Sequence, residues 1–269
     1  FKGFTYVWDQ KPLCAITNEA VRHIHFEFED GSRLKKAFTY DWRMWSLPEL
    51  RDPHLFVVLR PWIDVGSVGT LALATLEAHF NAQELGRLDR PGQFYDFTRY
   101  RPTIYRKDGE REVIVPNSVL WYAKGSGSHD WLFLHLLEPH IRGEDLIESV
   151  VAIMEHLHVR RYGLVGAMYG ASPHTRPLLA SGTVSEGQVE ERLGNMGVHA
   201  SSYEGPTSVM ALATEEARQK GIEVLSMLIQ LPPYARMEQD YKGQEALLRY
   251  LGALYDWDLN LEEIANEGA

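Results

Sequence analysis

Two prolines bracket a histidine, a threonine and an arginine in the stretch GASPHTRPLLASG, residues 170–182. Proline fixes φ and pushes the residue before it toward extended geometry. Pro173 and Pro177 therefore hold an imidazole and a guanidinium on a stiff connection. In an extended segment His174 and Arg176 share one side and Thr175 takes the other. Histidine titrates at about 6.5 and suits proton transfer, whereas arginine offers a fixed charge for an anion. In SSYEGPTSV, residues 201–209, Glu204 is a second proton carrier or an ion-pair partner for Arg176. Thr207 stands at the entry of the next helix, where a hydroxyl can cap the helix or meet a ligand.

Two further segments carry anion chemistry. YDFTRYRP, residues 95–102, supplies Arg99 and Arg101, which would share a face on an extended segment and form an anion clamp or a salt bridge within or between subunits. DVGSVG, residues 64–69, joins a strand to a helix, so Gly66 and Ser67 could present backbone N–H groups to an anion at the positive helix end. Asp64 would repel a phosphate there, the spacing is neither a dinucleotide fingerprint nor a P-loop, and Ser67 as an N-cap explains the same residues. The candidate set is thus His174 and Glu204 for catalysis, with Gly66, Ser67, Arg99, Arg101, Arg176 and Thr207 for ligand binding. No G-x-S-x-G elbow or H-E-x-x-H pair completes a catalytic constellation.

No metal site or cofactor is expected. His23, His25 and Glu27 have the spacing of a solvated strand face, and His156 and His158 lie two apart on a predicted helix, off one another's face. GSGSHDW, residues 125–131, reads as a mobile rim loop or a phosphate nest. Cys14 is the single cysteine, so neither an internal disulfide nor a thiolate cluster can form. The 37 acids against 27 bases leave a net charge of −10 over 269 residues. That sign argues against nucleic-acid and anionic-membrane partners, which need clustered positive charge. The longest apolar runs, such as 55–59 and 224–229, fall far below the roughly 20 residues of a membrane span. With no signal-peptide pattern at the start, the expected location is cytoplasmic.

The elements that must position these residues alternate. In HIHFEFEDGSRLKKAF, Ile24, Phe26 and Phe28 point one way and His23, His25, Glu27 and Glu29 the other, with Asp30-Gly31 as a hairpin turn. Two strands alone are marginal in water, so this hairpin should lean on the main domain or on another subunit. The expected division is an N-terminal extension over 1–46 and an α/β/α domain over 47–269. From Pro48 on, strands at 55–60, 119–125, 162–168 and 222–234 alternate with helices starting near 66, at 143 and at 207, and a covering helix follows 241. A hairpin over 102–116, turning at Asp108-Gly109, is expected to make the sheet mixed. Alternation of this kind implies a mainly parallel sheet covered on both faces, with ligands beyond the strand carboxyl ends. The loops after 55–60, at 170–177 and at 232–234 all leave such ends.

RPWIDVGSVG, YDFTRYRP, LEP at 137–139, PHTRP, YEGPTS and LPPY, in this order, resemble the proteasome assembly chaperone 2 family in its prokaryotic branch, from about Pro48 to Trp257. The resemblance implies a three-layer α/β/α fold similar to purine nucleoside phosphorylases, with a mixed, mainly parallel sheet, assembled as a homo-oligomer, often a trimer. Eukaryotic and archaeal members help assemble proteasome α-subunits, and such members often end in a hydrophobic-Tyr-any docking tail. The last residues here, EEIANEGA, depart from that tail. The expected function is a non-catalytic, assembly-chaperone-like oligomer whose crevice and surface bind a partner protein or a small anion. The alternatives are a phosphorylase- or hydrolase-like enzyme acting on a small anionic substrate, and a purely architectural role for the polar motifs.

Overall fold

The structure, a computed structural model, describes residues 3–10, 19–43, 49–107, 109–170, 173–185, 187–201 and 203–267. Cys14 and Asp108 lie outside the described residues. The chain divides into two compact units, Phe1–Glu49 and Leu50–Ala269.

The first unit is an antiparallel sheet of β1 (Phe4–Gln10), β2 (Glu19–Phe28) and β3 (Arg33–Arg43), in that spatial order. The hairpin at Asp30-Gly31 forms as expected: Gly31 N–H donates to the Phe28 carbonyl, and the Asp30 carboxylate accepts from the Ser32 amide and hydroxyl. β1 adds a third strand that the sequence pattern does not announce, which relieves the marginality of two strands. The β2–β3 register shifts between Ile24 and Phe26, so strict alternation does not run the length of β2.

The second unit holds the remaining elements. Its strands are β4 (His54–Arg60), β5 (Gln83–Arg87), β6 (Thr103–Lys107), β7 (Glu110–Ile114), β8 (Val119–Ala123), β9 (Trp131–Leu137), β10 (Arg161–Tyr169), β11 (Ala180–Val184), β12 (His199–Ala200) and β13 (Glu223–Leu231). Its helices are α1 (Val68–His79), α2 (Gly143–His156), α3 (Gly187–Asn195), α4 (Met210–Gln219), α5 (Tyr241–Tyr255) and α6 (Glu262–Glu267). Eight strands form one sheet in the order β12-β11-β13-β10-β4-β9-β8-β5. The four central strands β13, β10, β4 and β9 are mutually parallel, so the loops after β4, β10 and β13 leave the same end of the sheet.

β4 and β9 are nearly continuous apolar runs because both their faces are covered. In β4, Phe56 and Val58 pack with Leu73, Leu76, Leu247 and Leu251 of α1 and α5. The alternate residues Leu55, Val57 and Leu59 pack on the other side with Val150, Met154 and Ala213 of α2 and α4. The result is the expected three-layer α/β/α arrangement with a mixed, mostly parallel sheet.

The source of the mixing differs from the expectation. β6 and β7 form their own two-stranded ribbon outside the main sheet. The sheet is mixed because β11 runs antiparallel to β13, and β8 antiparallel to β9 and β5. The ribbon carries Ile104 and Val113 on one face, Tyr105 and Ile114 on the other, and all four are about half exposed.

After β4 the chain folds back over the sheet. The Ile63 carbonyl accepts the Ala167 amide at 2.8 Å, and Asp64 bridges to Ala167 of β10. Only glycine fits beneath this crossing, since a Cβ on Gly166 would stand 2.0 Å from the Ile63 oxygen. The crossing delivers Asp64 to the start of α1, where its carboxylate accepts from the Gly69 amide at 2.7 Å, the Thr70 amide at 3.1 Å and the Thr70 hydroxyl at 2.6 Å. Asp64 therefore caps α1. Ser67, expected in that role, sits at φ 54° and makes no cap bond. Burial pushes the Asp64 carboxyl up, while the Thr70 and Gly69 bonds and the Arg60 charge pull it back. Asp64→Ala leaves the buried Gly69 amide unsatisfied and is expected to cost about 1–3 kcal/mol in urea unfolding. A loss below about 0.5 kcal/mol would contradict the capping role.

The opposite, amino-terminal end of the parallel strands closes with an aromatic and ionic knot. His54 lies in register with Trp131 and Arg161, its ring 4.2 Å from that of His129 and its Nδ1 3.3 Å from the Tyr255 hydroxyl. Asp130 is fully buried beside it and accepts from the Arg51 amide and guanidinium, the Gly125 amide and the Lys124 ammonium. The phosphate-nest reading of GSGSHDW does not hold: its own aspartate takes the Gly125 N–H that a phosphate would need.

Candidate functional site

A crevice of about 680 Å³ opens on the α2/α4 side of the sheet, within the roughly 300–1,000 Å³ of ligand sites. α4 packs against β10 and the start of β13, and on this side the later β13 residues Ser226, Leu228 and Gln230, with Thr183 of β11, stay partly or fully exposed. The crevice floor is therefore bare sheet: Ser226, Leu228 and Gln230 from β13, and Ser181 and Thr183 from β11. Register puts Ser181 opposite Leu228 and Thr183 opposite Ser226, and directly opposed residues share a face. Thr183 and Ser226 bond to one another at 3.0 Å through their hydroxyls. One wall is α4, which contributes Arg218 and Glu215, joined at 3.0 Å. The mouth is aromatic: Tyr203 folds its hydroxyl onto the Pro206 carbonyl, and Tyr169 lies under the Arg236 guanidinium at 5.5 Å.

Of the eight residues singled out from the sequence, Thr207 alone lines this crevice. Gly66 and Ser67 are stitched to the entry of α5 instead. The Gly66 carbonyl accepts the Asp240 amide at 2.8 Å, and the Ser67 hydroxyl donates to the Glu238 carbonyl at 2.9 Å. A Cβ on Gly66, which sits at φ 62°, would meet Asp240 at 2.7 Å. The two helix amino termini here are already served by Asp64 and Asp240.

Arg99 is in a hydrogen-bonded turn, not an extended segment: the Arg99 and Tyr100 amides both donate to the Asp96 carbonyl, and the Arg99 guanidinium lies 3.9 Å from the Asp96 carboxylate. Arg101 follows the turn, exposed, so the two arginines do not share a strand face. PHTRP is likewise a turn, closed by Arg176 N–H on the Pro173 carbonyl at 3.2 Å. His174 is exposed there, with its amide and its Nδ1 each 3.0 Å from the Tyr234 hydroxyl. Arg176 and Glu204 are both exposed and form no ion pair with each other among the described residues. Thr207 does not cap a helix either, since α4 begins at Met210 with Val209 before it. Among the described residues no cluster of three His, Cys, Asp or Glu side chains could hold a metal, and no helix is long and apolar enough to cross a membrane.

The crevice itself was legible only in part. Ser226 and Gln230 interrupt an otherwise apolar strand four residues apart, and period two puts them on one face. Two polar residues on one face of a buried strand mark where its cover stops. That signal needed β11, a strand the sequence pattern leaves inside a loop.

The architecture defines the class: a three-layer α/β/α protein with a mixed eight-stranded sheet and a half-uncovered sheet face. Residues 58–269 match the PAC2 family model, and the chain belongs to that family. A PAC2 family protein from Streptomyces avermitilis is 26% identical with a TM-score of 0.71, covering 81% of this chain and 92% of its own. A proteasome-assembly chaperone homologue from Mycobacterium tuberculosis is 24% identical with a TM-score of 0.70, covering 80% and 90%. PbaB, an archaeal proteasome activator from Pyrococcus furiosus, shares the fold at 14% identity and a TM-score of 0.65, covering 83% and 91%. No curated protein matches the chain at a significant level.

Proposed function

We propose that this chain is a non-catalytic, assembly-chaperone-like protein that acts in the cytoplasm as a homo-oligomer, a trimer, and holds a partner protein along the crevice beside α4. The observation that carries this reading is membership of the PAC2 family over 58–269, in which a proteasome-assembly chaperone homologue has the same fold. The crevice agrees with it. Its floor is made of hydroxyl, amide and aliphatic groups, and its mouth carries exposed tyrosines, with Tyr203 at 60% exposure. Tyrosine at a rim gives large contact area with a polar handle, the composition of protein interfaces.

An enzyme reading draws less support. Its proton carriers and anion holders would have to meet in one cavity, yet His174, Glu204, Arg99, Arg101 and Arg176 do not line the crevice that holds Thr207. The His174 imidazole is taken up by Tyr234.

The test is assembly. Added to separately purified proteasome α-subunits from its own source, the chain should sediment at three times the monomer mass and accelerate ring formation on native gels. Thr207→Lys, which fills the crevice, should abolish the acceleration and leave the sedimentation unchanged. Equal acceleration by the variant would move the partner site elsewhere, and no acceleration by either protein would overturn the reading.

A further inference from the structure

A second, smaller cavity lies at the carboxyl end of β4, on the side of the sheet away from the crevice strands. It measures about 290 Å³ and is lined by Arg60, Tyr100, Thr103, Tyr105, Ile114 and Leu137, among others. Arg60 is the last residue of β4 and pairs in register with Leu137, the last of β9. The cavity thus sits beyond the ends of two adjacent parallel strands, the usual address of ligands in open α/β sheets. Its outer wall is the β6–β7 ribbon.

From this cavity we infer a binding site for a small carboxylate with an apolar body, its carboxylate on Arg60. The Arg60 Nε is buried and no described residue accepts from it, and Arg60 forms no ion pair among the described residues. The acid that feels its charge, Asp64, already holds three hydrogen bonds at the start of α1. The Arg60 side chain is part-buried, and its buried Nε donor is left without an acceptor, which is costly; a carboxylate matches the planar guanidinium fork.

The other polar groups narrow the choice. Tyr100 donates its hydroxyl to the Glu138 carbonyl, and the Asn117 amide is spent on the Leu88 backbone. The hydroxyls of Thr103 and Tyr105 have no hydrogen-bond partner among the described residues and complete a donor set of one cation and two O–H groups. The remaining wall is Ile114, Pro116, Leu137 and the tyrosine rings. One arginine neutralises a monoanion but not a phosphate dianion, and the apolar wall suits a hydrocarbon body. The volume, at the lower limit for ligand sites, fits a small organic acid or the last residue of a peptide.

Isothermal titration of the full chain separates these sources. Benzoate stands for the free acid and N-acetyl-leucine for a peptide end, with benzyl alcohol and N-acetyl-leucinamide as their uncharged counterparts. Expected is saturable binding of at least one acid, weakened at least tenfold by Arg60→Met, with no binding of its uncharged counterpart. Benzoate binding alone assigns the free acid; N-acetyl-leucine binding assigns the chain end; both assign the shared carboxylate. If Arg60→Met fails to fold, the exposed pair Thr103→Val with Tyr105→Phe replaces it, with a loss of about threefold expected. Absence of saturable binding by either acid, equal binding of the uncharged compounds, or undiminished binding in the folded variant would overturn the assignment.

Discussion

Gly166→Ala is expected to lower stability by about 3–4 kcal/mol, close to a 10 °C drop in Tm for a unit of this size. The new methyl carbon would sit 2.0 Å from the Ile63 carbonyl oxygen. A backbone atom there cannot rotate away as a side chain would. Either the 61–64 crossing lifts, breaking the Ile63–Ala167 hydrogen bond and dragging Asp64 off the start of α1, or β10 shifts within the centre of the sheet. Both routes disrupt the end of the sheet from which the candidate sites are built. The comparison is Gly194→Ala in α3, where an added Cβ meets nothing within 4 Å and helix propensity predicts a gain of up to about 1 kcal/mol. Differential scanning calorimetry of the two variants checks the contrast; a Tm drop below 2 °C for Gly166→Ala would show that the crossing yields easily.

The second large effect is acid instability from one histidine. His54 is buried, and burial first, then the charges of Arg161, His129 and Arg160, push its imidazole down to about 3. In the unfolded chain it titrates at about 6.5. Between these values the unfolded state binds the proton and the folded state does not, so stability falls as the pH falls. The contribution is intact above pH 6.5 and exhausted near pH 3. At about 1.4 kcal/mol per pH unit it amounts to at most roughly 4–5 kcal/mol.

Asp130 acts lower on the scale. Burial alone would raise it, but hydrogen bonds from Arg51, Gly125 and Lys124 prevail and hold it at about 2. Its contribution is present above its unfolded value of 3.8 and lost as the pH drops toward 2. Urea unfolding at intervals from pH 7.5 to 4.5 should therefore show a steep decline in the wild type and a nearly flat profile in His54→Phe. Parallel profiles would assign the acid sensitivity to other groups.

The readable part of the fold was the part in which local pattern and tertiary cover agree. FVVL in β4 and the apolar run of β13 declare strands buried on both faces, and the Gly-terminated or acid-headed stretches at α2 and α4 declare helices. β9 (WLFLHLL) is strongly apolar, but the Gly- and Ser-rich loop before it disguises where the strand begins. β11 and β12 are short and carry small polar residues, so neither length nor periodicity marks them, and with them went the crevice floor.

The candidate residues failed for a related reason. A proline on each side of His174 suggests extension, but the chain closes a turn within the bracket, and two hydrogen bonds with the Tyr234 hydroxyl, distant in sequence, decide where the imidazole points. Arg99 was placed on a strand that Asp96 converts into a turn. Arg60, at the end of an apolar strand, looks like a solvent-facing terminus in the sequence, and only the β6–β7 ribbon beside it makes the position a cavity.

The two borders of the main sheet carry a consequence for how copies of this chain can associate. One border is β12, only two residues long; the other is β5, whose pairing with β8 is interrupted between Glu84 and Gly86 and whose Glu84 and Arg87 face each other in an ion pair. Truncation, a bulge and charge are the devices by which natural sheets refuse a foreign strand. Both borders therefore resist strand pairing across the main sheet, and the chain can display a part-exposed sheet face without its own edges inviting polymerisation.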